Sequence, residues 1–178
     1  PSARAEHTMV WDPDGAQVIL YGGHDPSGMT KVMSDVWAWD GEDWSALPSE
    51  GGPGALHVHA ATWHAGLGRM VVFGGFTEPG YPQKEKNPEL WSYNPQGGQW
   101  QQHEDAPVGV AGSQLAYDGV RDRLVMFGGR AGALGSSYPE TYEWDGAQWA
   151  TLVKPVWYGV VGPPRGRLSL RWVLLAGE

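Results

Sequence analysis

Short apolar runs separated by turn residues follow one another along most of the chain. The segments "QVILY" (17–21), "MVVF" (70–73) and "RLVMF" (123–127) are rich in β-branched and aromatic side chains. Runs of this length, bounded by Gly, Asp and Pro, are typical of strands. In "VWAW" (36–39) both indoles fall on one face, because strand side chains alternate. The pattern predicts an all-β fold.

These strands belong to a unit that occurs three times. "HTMVWDPDGAQVILYGG" (7–23), "HAATWHAGLGRMVVFGG" (59–75) and "SQLAYDGVRDRLVMFGG" (113–129) align without a gap. Each segment predicts a hairpin that ends in a Gly-Gly pair, and successive pairs are 52 and 54 residues apart. Periods of this length are typical of the four-stranded blades of a β-propeller.

A second half-unit follows each glycine pair after a variable loop. "DVWAWDGEDW" (35–44), "ELWSYNPQGGQW" (89–100) and "ETYEWDGAQW" (140–149) predict a second hairpin, and Asp-Gly predicts a two-residue turn in the first and third. Every tryptophan except Trp157 occupies a position that recurs between units. A ring at the same place in each unit indicates packing between neighbouring sheets, which we favour over a sugar-binding platform.

The glycine pair after the second strand, the aromatic residue on the third and the tryptophan on the fourth resemble the kelch repeat, in particular that of bacterial kelch-type proteins. The resemblance covers about residues 4–153. It implies a propeller segment of four-stranded antiparallel blades, with the first strands nearest the central channel. We predict a single domain and an incomplete ring, with the domain at 1–178, blades at about 4–50, 55–107 and 110–153, and a partial fourth blade at 163–178.

Three full repeats are fewer than the four to eight blades of ordinary propellers. An open set of blades exposes apolar faces and sheet edges, which favour association. We therefore expect a fragment of a longer propeller first, and next a homodimer that closes a six-bladed ring. A tail that adds strands to an existing blade is the third expectation.

Composition removes several classes of function. The 178 residues include 12 basic and 20 acidic side chains, and this net charge of -8 argues against nucleic-acid binding. The absence of cysteine excludes disulfides and thiolate nucleophiles. The longest apolar run, "WVLLA" (172–176), is too short to cross a bilayer, so we predict a soluble chain without membrane insertion. The compartment stays open, with an extracellular or periplasmic setting slightly favoured.

Histidines and carboxylates are the candidate chemical groups. His57 and His59 would share a strand face and could ligate a metal with a third residue. However, His7 and His59 are repeat equivalents at a strand start, which favours strand-end hydrogen bonding, and we predict neither a metal nor another cofactor. The chain also resembles galactose oxidase in fold. That resemblance implies a Cys–Tyr cofactor, which this chain cannot form because it has no cysteine. Most acids lie in predicted loops or turns, where a solvated charge is expected.

The loops after the glycine pairs differ in length, and variable loops on a rigid scaffold are where recognition is expected. The kelch resemblance implies that these loops and the first-strand starts share one face. We predict a non-catalytic scaffold that binds a protein or a glycan. The alternatives are a carbohydrate-active enzyme with its site at the channel mouth and a purely structural module of a larger surface protein. The candidate binding residues are His24, Asp25, Phe76, Tyr81, Arg130 and Tyr138 in the loops, and His7, His59 and Ser113 nearer the channel mouth.

Overall fold

The computed structural model describes residues 1–27, 30–77, 87–131 and 137–152. In these ranges the regular structure consists of strands, and no helix is long and apolar enough to cross a membrane. The strands are β1 (Thr8–Asp12), β2 (Gln17–Tyr21), β3 (Val36–Trp39), β4 (Trp44–Leu47), β5 (Ala60–His64), β6 (Arg69–Phe73), β7 (Leu90–Asn94), β8 (Gln99–Gln102), β9 (Ala111–Asp118), β10 (Arg123–Arg130), β11 (Thr141–Trp144) and β12 (Trp149–Leu152).

The strands form three four-stranded antiparallel sheets, each made of consecutive strands. We call them blade 1 (β1–β4), blade 2 (β5–β8) and blade 3 (β9–β12). The first strands of neighbouring blades contact one another, β1 with β5 and β5 with β9. The all-β fold with kelch-type blades is therefore confirmed. The predicted partial blade at 163–178 lies outside the described residues, and the domain boundaries stay a prediction.

Two apolar clusters join the blades. One contains Ile19 and Tyr21 of blade 1 with Met70 and Val72 of blade 2. The other contains Val71 and Phe73 of blade 2 with the apolar residues of β10 and β11. Alternate residues of β6 therefore face opposite neighbours. This explains why β6 reads as a continuous apolar run rather than as alternating apolar and polar residues.

The fourth-strand tryptophans of blades 2 and 3 pack onto the preceding blade. The ring centroid of Trp100 lies 4.9 Å from that of Tyr21, and that of Trp149 lies 5.6 Å from that of Phe73. The third-strand Trp144 is only 1% exposed. Packing between blades is thus confirmed at both junctions. Trp11 differs because it is 55% exposed on the face of blade 1 that points away from blade 2.

The glycine pairs of blades 1 and 2 bring the end of the second strand against the chain segment that leads into the next blade. The N–H of Gly23 donates to the carbonyl of Leu56 at 2.8 Å, and that of Gly75 donates to the carbonyl of Val110 at 2.9 Å. The preceding Gly74 has a φ of +66°, and a Cβ there would collide with the Val110 carbonyl oxygen. Only glycine fits this backbone and this close approach.

The Asp-Gly turns correct one detail of the sequence-based prediction. Trp39 pairs with Trp44 across the hairpin, so the loop has four residues (40–43) rather than two. The Asp40 carboxylate accepts the N–H groups of Glu42 at 2.8 Å and Asp43 at 2.9 Å. These side-chain bonds stabilise the loop, and the Asp40 N–H also donates to the Asp43 carbonyl at 3.4 Å. The hairpin was predicted correctly and its turn type was wrong.

Candidate functional site

An open cleft of about 270 Å³ lies where the first strands of the three blades begin. The repeat-equivalent His7, His59 and Ser113, one from each blade, all line it, as do the residues that follow them along β1, β5 and β9. The structure therefore brings together the three candidate residues placed nearer the channel mouth. Their convergence follows from repetition, because equivalent positions of adjacent blades meet around a shared axis.

The second glycine of each pair supports the cleft residue of its own blade. A Cβ on Gly75 would lie 2.7 Å from the Cβ of His59, and one on Gly129 would lie 3.0 Å from the Cβ of Ser113. The first distance is shorter than real carbon atoms approach and the second is tighter than most carbon contacts, so the glycine leaves the space that the first-strand residue occupies. The same glycine motif thus shapes both the blade and the cleft.

Polar atoms of the cleft residues are only partly satisfied. The Nε2 atom of His59 lies 2.7 Å from Oγ1 of Thr8. Burial, and next the neighbouring His57 and His7, lower the pKa of His59 to about 3, so its ring is neutral near pH 7. The Nδ1 atoms of His7 and His59 and the Oγ of Ser113 are buried without a hydrogen-bond partner. Such atoms favour a ligand that supplies the missing hydrogen bonds.

Asp25 joins the described parts of the first post-glycine loop by hydrogen bonds. Its carboxylate accepts hydrogen bonds from the Ser27 hydroxyl at 2.6 Å, the Thr30 hydroxyl at 3.1 Å and the Lys31 N–H at 2.7 Å. The Ser27 bond, followed by the Lys31 bond, lowers the pKa of Asp25 to about 2. The side chain is engaged within its own loop, where it remains ionised.

The other loop candidates lie in different environments. Phe76 is 3% exposed, and its ring centroid is 5.7 Å from that of His57, so it supports the loop rather than forming accessible surface. Tyr138 is half-buried against the junction of blades 2 and 3. Arg130 is exposed at the end of β10. Tyr81 lies outside the described residues.

A cluster of two buried histidines and the exposed Glu6 was not predicted from the sequence. Oε2 of Glu6 is 2.8 Å from Nδ1 of His57 and 3.4 Å from Nε2 of His24. We had paired His57 with His59, but Val58 has a φ of +55°, and the chain turns between them. His57 contacts Glu6 while His59 lines the cleft. No local signal reveals Glu6, because it is 51 residues from His57.

A comparison with known proteins identifies the family of this chain. A family model described as the KLHDC2/KLHL20/DRC7 Kelch-repeats domain matches residues 1–170. The chain belongs to this Kelch-repeat family. No individual curated protein matches it. Kelch-repeat domains commonly mediate protein interactions, which agrees with a non-catalytic scaffold.

Carboxylates do not converge in the cleft of this Kelch-repeat domain. None of the described residues that line it is acidic. Asp25 is engaged in its own loop, and Glu78 and Glu85 lie outside the described residues. Acid–base hydrolysis of a glycoside uses two carboxyl groups on either side of the scissile bond. The described lining of the cleft does not supply this pair of groups.

Proposed function

We propose that this Kelch-repeat domain is a non-catalytic binding module whose protein partner docks at the cleft and on the loops after the glycine pairs. The observation that carries the proposal is the convergence of His7, His59 and Ser113, each with a buried unpaired polar atom. A polar side chain or backbone group of the partner, inserted between the three first strands, would satisfy these atoms once the cleft side chains rotate to expose them. Each such hydrogen bond stabilises a complex because the free cleft leaves the atom unpaired.

The rim of the cleft suits a protein loop. Met9 is 52% exposed, and the neighbouring Gln114 is exposed and polar. Protein interfaces combine apolar contact of this kind with about one hydrogen bond per 100–200 Å². The scaffold beneath is a set of hydrogen-bonded sheets, so little ordering entropy opposes docking.

A glycan partner is less favoured by the described residues. Sugar recognition uses a flat exposed ring beside polar groups, and the cleft lining contains no Phe, Tyr or Trp among the described residues. Tyr138 is half-buried against a blade junction. We therefore place the protein partner first and use glycan binding as an outcome that the experiment distinguishes.

Site-specific photo-crosslinking tests the docking face. A photoreactive residue replaces either Gln114, at the cleft, or Val120, which is 96% exposed in the β9–β10 turn at the other end of the same blade. We expect a discrete crosslinked protein from position 114 and none from position 120. The captured protein is then purified and titrated against the unmodified chain.

The substitution Gln114→Arg supplies the quantitative test. We expect it to weaken binding of the purified partner at least about tenfold, whereas the matched Val120→Arg leaves the affinity unchanged. Equal crosslinking at both ends would contradict the proposal. The native chain is also tested on a glycan array. If it bound a glycan and Gln114→Arg abolished that binding, the partner would be a sugar rather than a protein.

A further inference from the structure

We propose that Glu6, His24 and His57 form a binding site for Zn²⁺. One ligand atom from each residue lies within 4.8 Å of the other two, and both histidine side chains are buried. Two imidazoles and one carboxylate are a ligand set that zinc uses in proteins, with a fourth position left for water or a further ligand. The site uses none of the cleft-lining residues, although His24 lies in the first of the loops after the glycine pairs.

The tautomer of His24 supports a cation between the three groups. Its Nδ1 lies 2.7 Å from the carbonyl oxygen of Asp25, which can only accept a hydrogen bond, so Nδ1 carries the proton. In a neutral ring Nε2 then has a lone pair, and this atom is 3.4 Å from the Glu6 carboxylate. In that state two electron-rich atoms face each other. A proton or a metal ion between them removes the repulsion, and the Nδ1–H bond to a carbonyl is the usual support of a zinc-ligating imidazole.

Backbone pairing holds the three residues on adjacent segments. Ala5 and His24 exchange two N–H···O bonds of 3.0 Å, and His57 and Phe76 exchange bonds of 3.0 and 2.9 Å. The N–H of Val58 donates to the carbonyl of Glu6 at 3.1 Å, which joins the two pairs. The ligands are therefore held together before the metal binds. A pre-organised site loses little entropy on binding.

The ligand chemistry selects the class of metal. Mg²⁺ and Ca²⁺ prefer oxygen ligands, whereas two imidazole nitrogens suit zinc and its transition-metal neighbours. Tetrahedral zinc with bonds of roughly 2.0–2.2 Å places its ligand atoms about 3.4 Å apart. The Glu6–His24 separation of 3.4 Å fits this geometry, and the Glu6–His57 separation of 2.8 Å fits after a small side-chain rotation.

Zinc at this site would connect the two blades. Glu6 precedes β1, His24 follows β2, and His57 precedes β5, so the ion joins both ends of the first hairpin to the entry of blade 2. Because the unfolded chain does not hold these residues together, zinc binding would add to the stability of the folded state.

Titration with ZnCl₂ tests the site directly. The full chain, free of any affinity tag, is dialysed against a chelator, equilibrated with ZnCl₂ and analysed by elemental mass spectrometry and calorimetry. We expect one zinc per chain and a higher melting temperature, and we expect MgCl₂ at the same concentration to change neither. Failure of the native chain to bind zinc would overturn the proposal and leave a hydrogen-bonded His–Glu–His triad.

Matched variants locate the bound ion. Glu6→Gln and His24→Gln keep the side-chain size and should each weaken zinc binding at least about tenfold. His103→Gln changes a histidine of blade 2 outside the cluster and should bind zinc like the native chain. Circular dichroism confirms that each variant is folded before titration. Equal zinc binding by all three variants would show an adventitious ion and would overturn the assignment.

Discussion

At the residue scale, the first glycine of the third pair has a different environment from the first glycines of the other two pairs. Gly74 has a φ of +66° and lies against the Val110 carbonyl, whereas Gly128 has a φ of +76° and no atom of the described residues within 4 Å of a Cβ built on it. The two positions share a left-handed backbone and differ in their packing. They therefore separate the cost of backbone strain from the cost of a steric collision.

Gly74→Ala should destabilise the protein more than Gly128→Ala. Both substitutions impose a left-handed conformation on alanine, which costs about 1–2 kcal/mol. Gly74→Ala must also displace the Val110 carbonyl, so we expect a total loss of about 3 kcal/mol or more. Urea denaturation of the two variants measures the difference. Equal losses would show that the glycine is needed only for its backbone angle.

His103 gives a second residue-scale prediction. Burial, followed by Arg69 and His64, lowers its pKa from the usual 6.5. The unfolded chain therefore binds a proton at a pH where the folded chain does not, and stability falls as the pH drops below about 6.5. The loss ends once the pH is below the folded-state pKa. We expect thermal unfolding to show this decline.

The variant His103→Gln tests the source of the decline. Glutamine can keep a hydrogen bond to Ser92, whose Oγ lies 2.8 Å from Nε2 of His103, but it does not titrate. Its melting temperature should change less between pH 7 and pH 5 than that of the native chain. An unchanged pH profile would assign the decline to other groups, such as the buried His64, whose pKa burial also lowers.

At the element scale, the fourth strand of one blade and the second strand of the preceding blade form the junction. Trp100 contacts both Tyr21 of blade 1 and Tyr93 of its own blade, with centroid distances of 4.9 and 4.8 Å. The equivalent Trp44 contacts Trp39 within blade 1 at 5.5 Å. Blade 1 has no preceding sheet among the described residues. The same position therefore joins two blades in one case and packs within a single blade in the other.

Trp100→Ala should cost more stability than Trp44→Ala. Removal of a well-packed tryptophan costs about 3–5 kcal/mol, and we expect the loss at Trp100 to reach the lower part of that range. For Trp44 we expect about 1–2 kcal/mol, since fewer contacts disappear. Guanidinium denaturation followed by circular dichroism measures both losses. If the two were equal, the indole would contribute only within its own blade.

At the scale of the whole molecule, one face of blade 1 has no neighbour among the described residues. Met9 pairs with Leu20, and Trp11 pairs with Val18, so these four side chains share that face. Met9 and Trp11 are 52% and 55% exposed. The equivalent Trp63 of blade 2 is half-buried at the junction with blade 1. An apolar sheet face of this kind favours association.

We expect the isolated chain to self-associate, and Trp11→Lys to weaken the association several-fold. A charge at the centre of the face must be desolvated when two copies meet. Val120→Lys is the control, because it changes an apolar residue that is 96% exposed in a turn. Sedimentation velocity over a range of concentrations measures the effect. A monomer at every concentration would contradict this expectation.

Much of the blade architecture was predictable from the sequence. "MVVF" (70–73) and the recurring glycine pairs predicted the strands and their hairpins, because local alternation and turn chemistry depend on neighbouring residues. The convergence of His7, His59 and Ser113 was also predictable, since repetition places equivalent residues together. The four-residue loop that begins at Asp40 was not predictable, because an aspartate side chain can accept loop N–H groups and so offers an alternative to a two-residue turn.

The sequence by itself determined the repeat, the strands and the identity of the junction residues. Only the tertiary structure decided that Phe76 is buried, that Trp11 is exposed and that Glu6 meets His24 and His57. The physical reason is distance along the chain. Repeat positions obey a local period, whereas the cluster forms between segments up to 51 residues apart and depends on the left-handed turn at Val58.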